Sequence, residues 1–112
     1  MVEYTSSLDS TFGALSDPTR RDILRRVSDA ELSVGQLARF YDLTFSAVSK
    51  HLKVLEKARL IIKRRNGKEQ LVSLAPQALA EAAQYIEWYK QFMESRLDAL
   101  EIYLKEDQNG RQ

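Results

Sequence analysis

Thr44-Phe45-Ser46-Ala47-Val48-Ser49-Lys50-His51-Leu52-Lys53-Val54-Leu55-Glu56-Lys57-Ala58 decides how this chain is read. At about 100° per residue the stretch splits into two faces. Val48, Leu52 and Leu55 fall on one. Ser46, Ser49, Lys50, Lys53 and Lys57 fall on the other, with Glu56 at the edge. An ordinary surface helix mixes both signs of charge on its wet face, whereas this one carries lysines and small hydroxyls. Lysines reach phosphates, and short hydroxyl side chains let a helix approach base edges. The stretch is expected to be a DNA-recognition helix, meeting DNA through Thr44, Ser46, Ser49, Lys50, Lys53 and Lys57.

Its neighbours fit that reading. Just upstream, Ser33-Val34-Gly35-Gln36 has the form of a capping box, opening a helix to about Tyr41 that buries Leu37 and Phe40. Asp42-Leu43-Thr44 follows as a turn whose last residue caps the basic helix. Helix, short turn and basic helix make a helix-turn-helix. Further upstream, Asp17 caps a helix that Pro18 opens. It runs to about Val27, with Ile23, Leu24 and Val27 inward and Arg20, Arg21, Arg25 and Arg26 outward or along the rim. Leu8, Phe12 and Leu15 mark a short first helix.

Downstream the period changes. Leu60-Ile61-Ile62-Lys63-Arg64-Arg65, then Asn66-Gly67, then Gln70-Leu71-Val72-Ser73-Leu74 read as a hairpin. With Asn66-Gly67 as the two-residue loop, Arg64 faces Glu69 and Ile62 faces Leu71. A basic hairpin after a recognition helix is a wing, expected to grip the DNA backbone or enter the minor groove through Lys63, Arg64, Arg65 and Lys68.

From Pro76 to about Lys105 no glycine or proline interrupts the chain. Leu79, Ala82, Ala83, Ile86, Tyr89, Met93, Leu97, Leu100 and Leu104 step by threes and fours, close to a coiled-coil repeat. Such a helix is roughly 45 Å long, more than the preceding residues can cover. Packing on a second copy of the chain is the expected outcome.

The 112 residues are expected to divide into an N-terminal arm (1–7), one winged-helix and dimerisation domain (8–106) and a flexible tail (107–112). The fold class is mainly α with a small β-hairpin: about five helices and a two-stranded wing. Net charge is only +1, but its distribution is uneven. Lys50 to Lys68 holds eight basic residues against one acid, and Glu81 to Asp107 holds seven acids against three bases. A basic patch in a near-neutral protein suits a local electrostatic site.

Cysteine is absent, which removes disulfide and thiolate chemistry. No signal peptide or membrane span is evident, so a cytoplasmic protein with no membrane partner is expected. No nucleophile–base set or phosphate-cradling glycine loop occurs, so no catalytic residues and no enzyme activity are expected. His51, the single histidine, borders the buried face and reads as a packed or capping residue, with a phosphate contact near the helix start as the alternative.

Phe12-Gly13-Ala14-Leu15-Ser16-Asp17-Pro18-Thr19-Arg20-Arg21-Asp22-Ile23-Leu24, Glu31 through Ala38, and Ser46 through Leu55 resemble the matching segments of the ArsR family of bacterial winged-helix repressors. Leu60 through Leu74 is similar to the family's wing. Arg59 departs from the pattern, standing where the family usually has glycine. The resemblance implies a homodimeric repressor on a two-fold symmetric operator in double-stranded DNA. It also implies a dimer interface made by the first and last helices: Leu8, Phe12, Ile86, Tyr89, Met93, Leu97, Leu100 and Leu104.

Thiolate-type members begin the third helix Glu-Leu-Cys-Val-Cys, where this chain has Glu31-Leu32-Ser33-Val34-Gly35. With both thiolate positions lost and one histidine present, no metal site and no cofactor are expected. A small-molecule or protein inducer stays open. The alternative is a winged-helix module that binds a protein partner without touching DNA.

Overall fold

The computed structural model describes the backbone of residues 2–110 and the side chains of residues 7–108. Met1, Arg111 and Gln112, the ends of the expected arm and tail, lie outside the described residues. The elements are α1 (Val2–Leu15), α2 (Pro18–Asp29), β1 (Leu32–Ser33), α3 (Val34–Ala38), α4 (Phe45–Lys57), β2 (Ile61–Asn66), β3 (Glu69–Leu74) and α5 (Pro76–Gly110). The strands form an antiparallel sheet in the order β1-β3-β2. Helix α1 begins well before Leu8, and α5 continues past Lys105 to Gly110. The chain divides into two compact units, one through Ala82 and one from Ala83, where the sequence suggests a single domain over 8–106.

The first unit is the winged helix. Its core gathers Ile23, Leu24 and Val27 of α2, Leu37 of α3, Val48, Leu52 and Leu55 of α4, and Ile61 and Val72 of the hairpin. Complete burial of Leu52 or Leu55 contributes about 1.5–3 kcal/mol each. Ala78 and Ala82, from the first turns of α5, are also buried. On α1 the inward residues are Thr11 and Ala14. Phe12 stays on the surface, and Leu8 and Leu15 are half-buried.

Local capping follows the sequence. Asp17 accepts from the Arg20 N–H at 3.0 Å. Ser33 and Gln36 close both halves of the capping box, at 3.0 and 2.8 Å. Thr44 Oγ1 accepts from the Ala47 N–H at 3.1 Å. Arg20 and Arg21 do more than line a rim. Arg20 donates to the carbonyls of Ala14 and Gly13, and Arg21 to that of Leu15. The guanidinium groups thus satisfy orphan acceptors at the end of α1.

Two local expectations need correction. Helix α3 stops at Ala38, not near Tyr41, and tightens through i→i+3 bonds from the Phe40 and Tyr41 N–H groups. With the helix ended, Phe40 does not follow Leu37 into the core. It is 50% exposed, with the Arg26 guanidinium 3.8 Å above its ring. Tyr41 packs on the core instead and donates to Asp22 Oδ2 at 2.6 Å.

The hairpin register also differs. Asn66 pairs with Glu69 and Arg64 with Leu71, so the loop is Gly67-Lys68. Gly67 has φ 66°, and Lys68 has no positive φ. One left-handed residue at the first loop position suits a type II′ turn, whereas the type I′ turn read from Asn66-Gly67 needs two. The pairing moves by two, so the alternation of faces is unchanged: Ile61 and the stem of Lys63 lie on the inner face with Val72, and Ile62 is exposed.

Arg59 is the only non-glycine with positive φ among the described residues, at 62°. It ends α4. The Leu60 N–H bonds to the Leu55 carbonyl, and the Arg59 N–H to that of Glu56, both at 3.0 Å. This is a Schellman motif with a side chain where glycine is favoured.

The second unit is the rest of α5. Ile86, Tyr89, Met93, Leu97, Leu100 and Leu104 are all exposed in the single chain. Trp88 and Phe92 stack one turn apart, with ring centroids 5.8 Å apart and planes 16° from parallel. No helix among the described residues is long and apolar enough to cross a membrane.

Candidate nucleic-acid interface

The buried stripe Val48–Leu52–Leu55 orients α4. Ser46, Ser49, Lys50, Lys53 and Lys57 then fall within an arc of about 100° on the opposite side. Ser49 is half-buried and the others are exposed. None of these three lysines makes an ion pair among the described residues, so their charges point at solvent uncompensated. Thr44 lies at the head of the arc, its hydroxyl oxygen holding the first turn.

The four wing cations separate into two pairs. Lys63 keeps only 13% of its side chain exposed, and its Nζ lies 3.4 Å from Glu56 Oε1. The inner-face register explains this, since its stem follows Ile61 toward the core. Arg64 makes a two-pronged bond to Glu31, Nε at 3.0 Å and Nη2 at 2.7 Å. That bond holds the Glu31 carboxyl below its ordinary pKa and raises that of Arg64. Arg65 and Lys68 are exposed and make no ion pair among the described residues. Both line a cleft of about 410 Å³ together with Gly35, Phe45, Glu69 and Gln70.

Phe45 is the residue sequence reasoning missed. It opens α4 and is 62% exposed. On the helix it sits about 20° from Leu52 and about 40° from Ser49, between the buried stripe and the polar arc, and it lines the wing cleft. The available signal was its position: a large apolar residue just after the N-cap, at the open end of the Val48–Leu52–Leu55 stripe.

Two side-chain networks steady the helix-turn-helix. Asp22 accepts from Tyr41 and from Arg26 Nε at 2.8 Å, which lowers its carboxyl pKa. Burial, then the bond to Asp22, pushes the Tyr41 phenol up to about 12. His51 is half-buried between α2 and α4, its Nδ1 3.4 Å from Arg20 Nη1 and 3.8 Å from Asp17 Oδ2. From the middle of α4 it faces Asp17 and Arg20 at the start of α2. Asp17 itself is held below the usual carboxylate range, first by the Arg20 backbone N–H. Among the described residues no group of three or more His, Cys, Asp or Glu side chains could hold a metal ion.

A family model described as a helix-turn-helix domain matches residues 15–64. The chain is 45% identical over 80 residues to the HTH-type transcriptional regulator Rv2034 of Mycobacterium tuberculosis, covering 71% of this chain and 74% of that protein. It is 30% identical over 86 residues to the transcriptional repressor SdpR of Bacillus subtilis, covering 77% and 92%. Among solved structures, an ArsR-like transcriptional regulator from Rhodococcus sp. RHA1 superposes with a TM-score of 0.80 at 28% identity, over 94% of this chain and 96% of that one.

Proposed function

This chain belongs to the ArsR family of winged helix-turn-helix transcriptional regulators, and from that membership we propose that it is a homodimeric repressor of a two-fold symmetric DNA operator. The observation that carries the reading is the uncompensated cationic surface shared by α4 and the wing tip. In each protomer α4 enters the major groove. Ser46 and Ser49 approach base edges there, with Thr44 at the head of the helix. Lys50, Lys53 and Lys57 meet bases and flanking phosphates. Arg65 and Lys68 hold the backbone from the wing. Lys63 and Arg64 act one step back, pinning the hairpin to α4 and to the residue before β1.

The exposed apolar side chains of α5, Ile86 through Leu104, support a second copy as its partner. Leu8 and Phe12 of α1 are proposed as dimer contacts in their own right. Two recognition helices held about one helical turn apart would read a palindromic site, and a dimer seated on a promoter excludes polymerase. SdpR, a repressor by name, supports that direction of control.

The test is selection of random DNA duplexes by the purified protein, followed by affinity titration across salt. A palindromic consensus, a two-to-one complex and a steep fall in affinity with salt are expected. Failure to enrich any sequence, or an affinity indifferent to salt, would overturn the reading in favour of a protein-binding module.

A further inference from the structure

We propose that Phe45 is a specificity-determining residue that reads the 5-methyl group of a thymine in the operator; this rests on the major-groove placement of α4 proposed above. Three observations converge on it. Phe45 is the first residue of α4, and the first turn of a groove-bound helix comes nearest the base edges. Its ring is 62% exposed although it continues the spacing of the buried stripe, so burial in the core does not account for it. It also stands in the corner between α4 and the wing, in the cleft that contains Arg65 and Lys68. Those two cations, both on the wing, would hold a phosphate of the groove edge beside that corner.

The chemistry of the groove narrows what the ring meets. Donors and acceptors on the base edges offer a phenyl ring nothing. The thymine methyl is the one apolar group on the major-groove edge, and it is matched by apolar side chains, phenylalanine among them. Insertion between base pairs is the other use of such a side chain, but wedges of that kind enter from the minor groove. Ser49, about 40° round the helix from Phe45, and Ser46, next to it in the chain, can form hydrogen bonds to either kind of base pair. They leave room for a neighbour that supplies discrimination.

The experiment replaces each thymine of the selected duplex, one at a time, with uracil, which removes only the methyl group. Wild-type protein is expected to lose about fourfold in affinity at one thymine per half-site, the value of one buried methyl. Phe45→Ala is expected to lose affinity for the parent duplex and to become indifferent at that position. A fresh selection with the variant should keep the remaining consensus and drop that thymine. Thermal melting checks that the variant folds, and the uracil scan of wild type needs no variant at all. If every uracil replacement is neutral for wild type, or if the variant keeps the same sensitivity, the proposal fails while the regulator reading stands. If wild type selects no duplex, both fail together.

Discussion

Arg65→Ala should change the salt dependence of DNA binding, and Arg64→Ala should not. The two residues are adjacent on β2, but Arg64 already spends two N–H groups on Glu31 at 2.7 and 3.0 Å, while Arg65 spends none. A residue that neutralises one phosphate contributes about 0.9 to the slope of log affinity against log salt. The proposed dimer brings two copies, so Arg65→Ala should lower the slope by about 1.8. Across a fourfold rise in salt, wild type would lose about twelvefold more affinity than the variant. Fluorescence anisotropy with the selected duplex at several salt concentrations reads this directly. Glu31→Gln provides the converse: it releases Arg64 and should steepen the slope toward the same increment. If Arg64→Ala flattens the slope as much as Arg65→Ala, then Arg64 leaves Glu31 for a phosphate on binding, and the division of the wing cations is wrong.

Other outcomes follow from the fold. Arg59→Gly removes a side chain from a left-handed position and should raise stability by about 0.5–1 kcal/mol, a Tm gain of a few degrees by calorimetry. An unchanged or lower Tm would show that the arginine side chain compensates for its backbone. Asp17, Asp22 and Glu31 all have folded-state pKa values below their ordinary ones. Their stabilisation is complete above the unfolded carboxyl value of about 4 and is lost as pH falls through the lower folded values. Urea midpoints should therefore hold from neutral pH to about 4 and decline below it, and a flat profile down to pH 2 would contradict the assigned bonds. The double variant Ile86→Glu, Leu97→Glu places charge on the exposed stripe of α5 and should convert a dimer to a monomer by light scattering. Operator affinity should fall by a hundredfold or more as the half-sites lose their shared tether, and a variant that remains dimeric would remove α5 from the interface.

Much of the winged helix could be read from short-range chemistry. Asp17, Ser33 with Gln36, and Thr44 each bond three residues along the chain, so their residue types and spacing announce the bond. The buried stripe of α4 was visible as periodicity. The fate of the wing cations was not. Arg64 meets Glu31 across 33 positions of sequence, and no local pattern encodes that meeting. Lys63 points inward because it stands two residues from Ile61 on the same face of β2, and Asn66-Gly67 alone does not distinguish one register from the next. Phe40 misled for a related reason: its spacing from Leu37 suits a helix that ends two residues earlier. Strand β1, at two residues, is too short to show a period and forms only because β3 lies beside it.

Trp88 is the only tryptophan in the sequence, and it stands in the segment from Ala83 onward. Excited at the red edge, where tyrosine does not absorb, the native chain thus carries an intrinsic dye on its last helix and none in its winged half. Its emission maximum would follow dilution of the proposed dimer without any labelling chemistry. A spectral change on adding duplex would then signal that news of the occupied operator had reached α5 at Trp88.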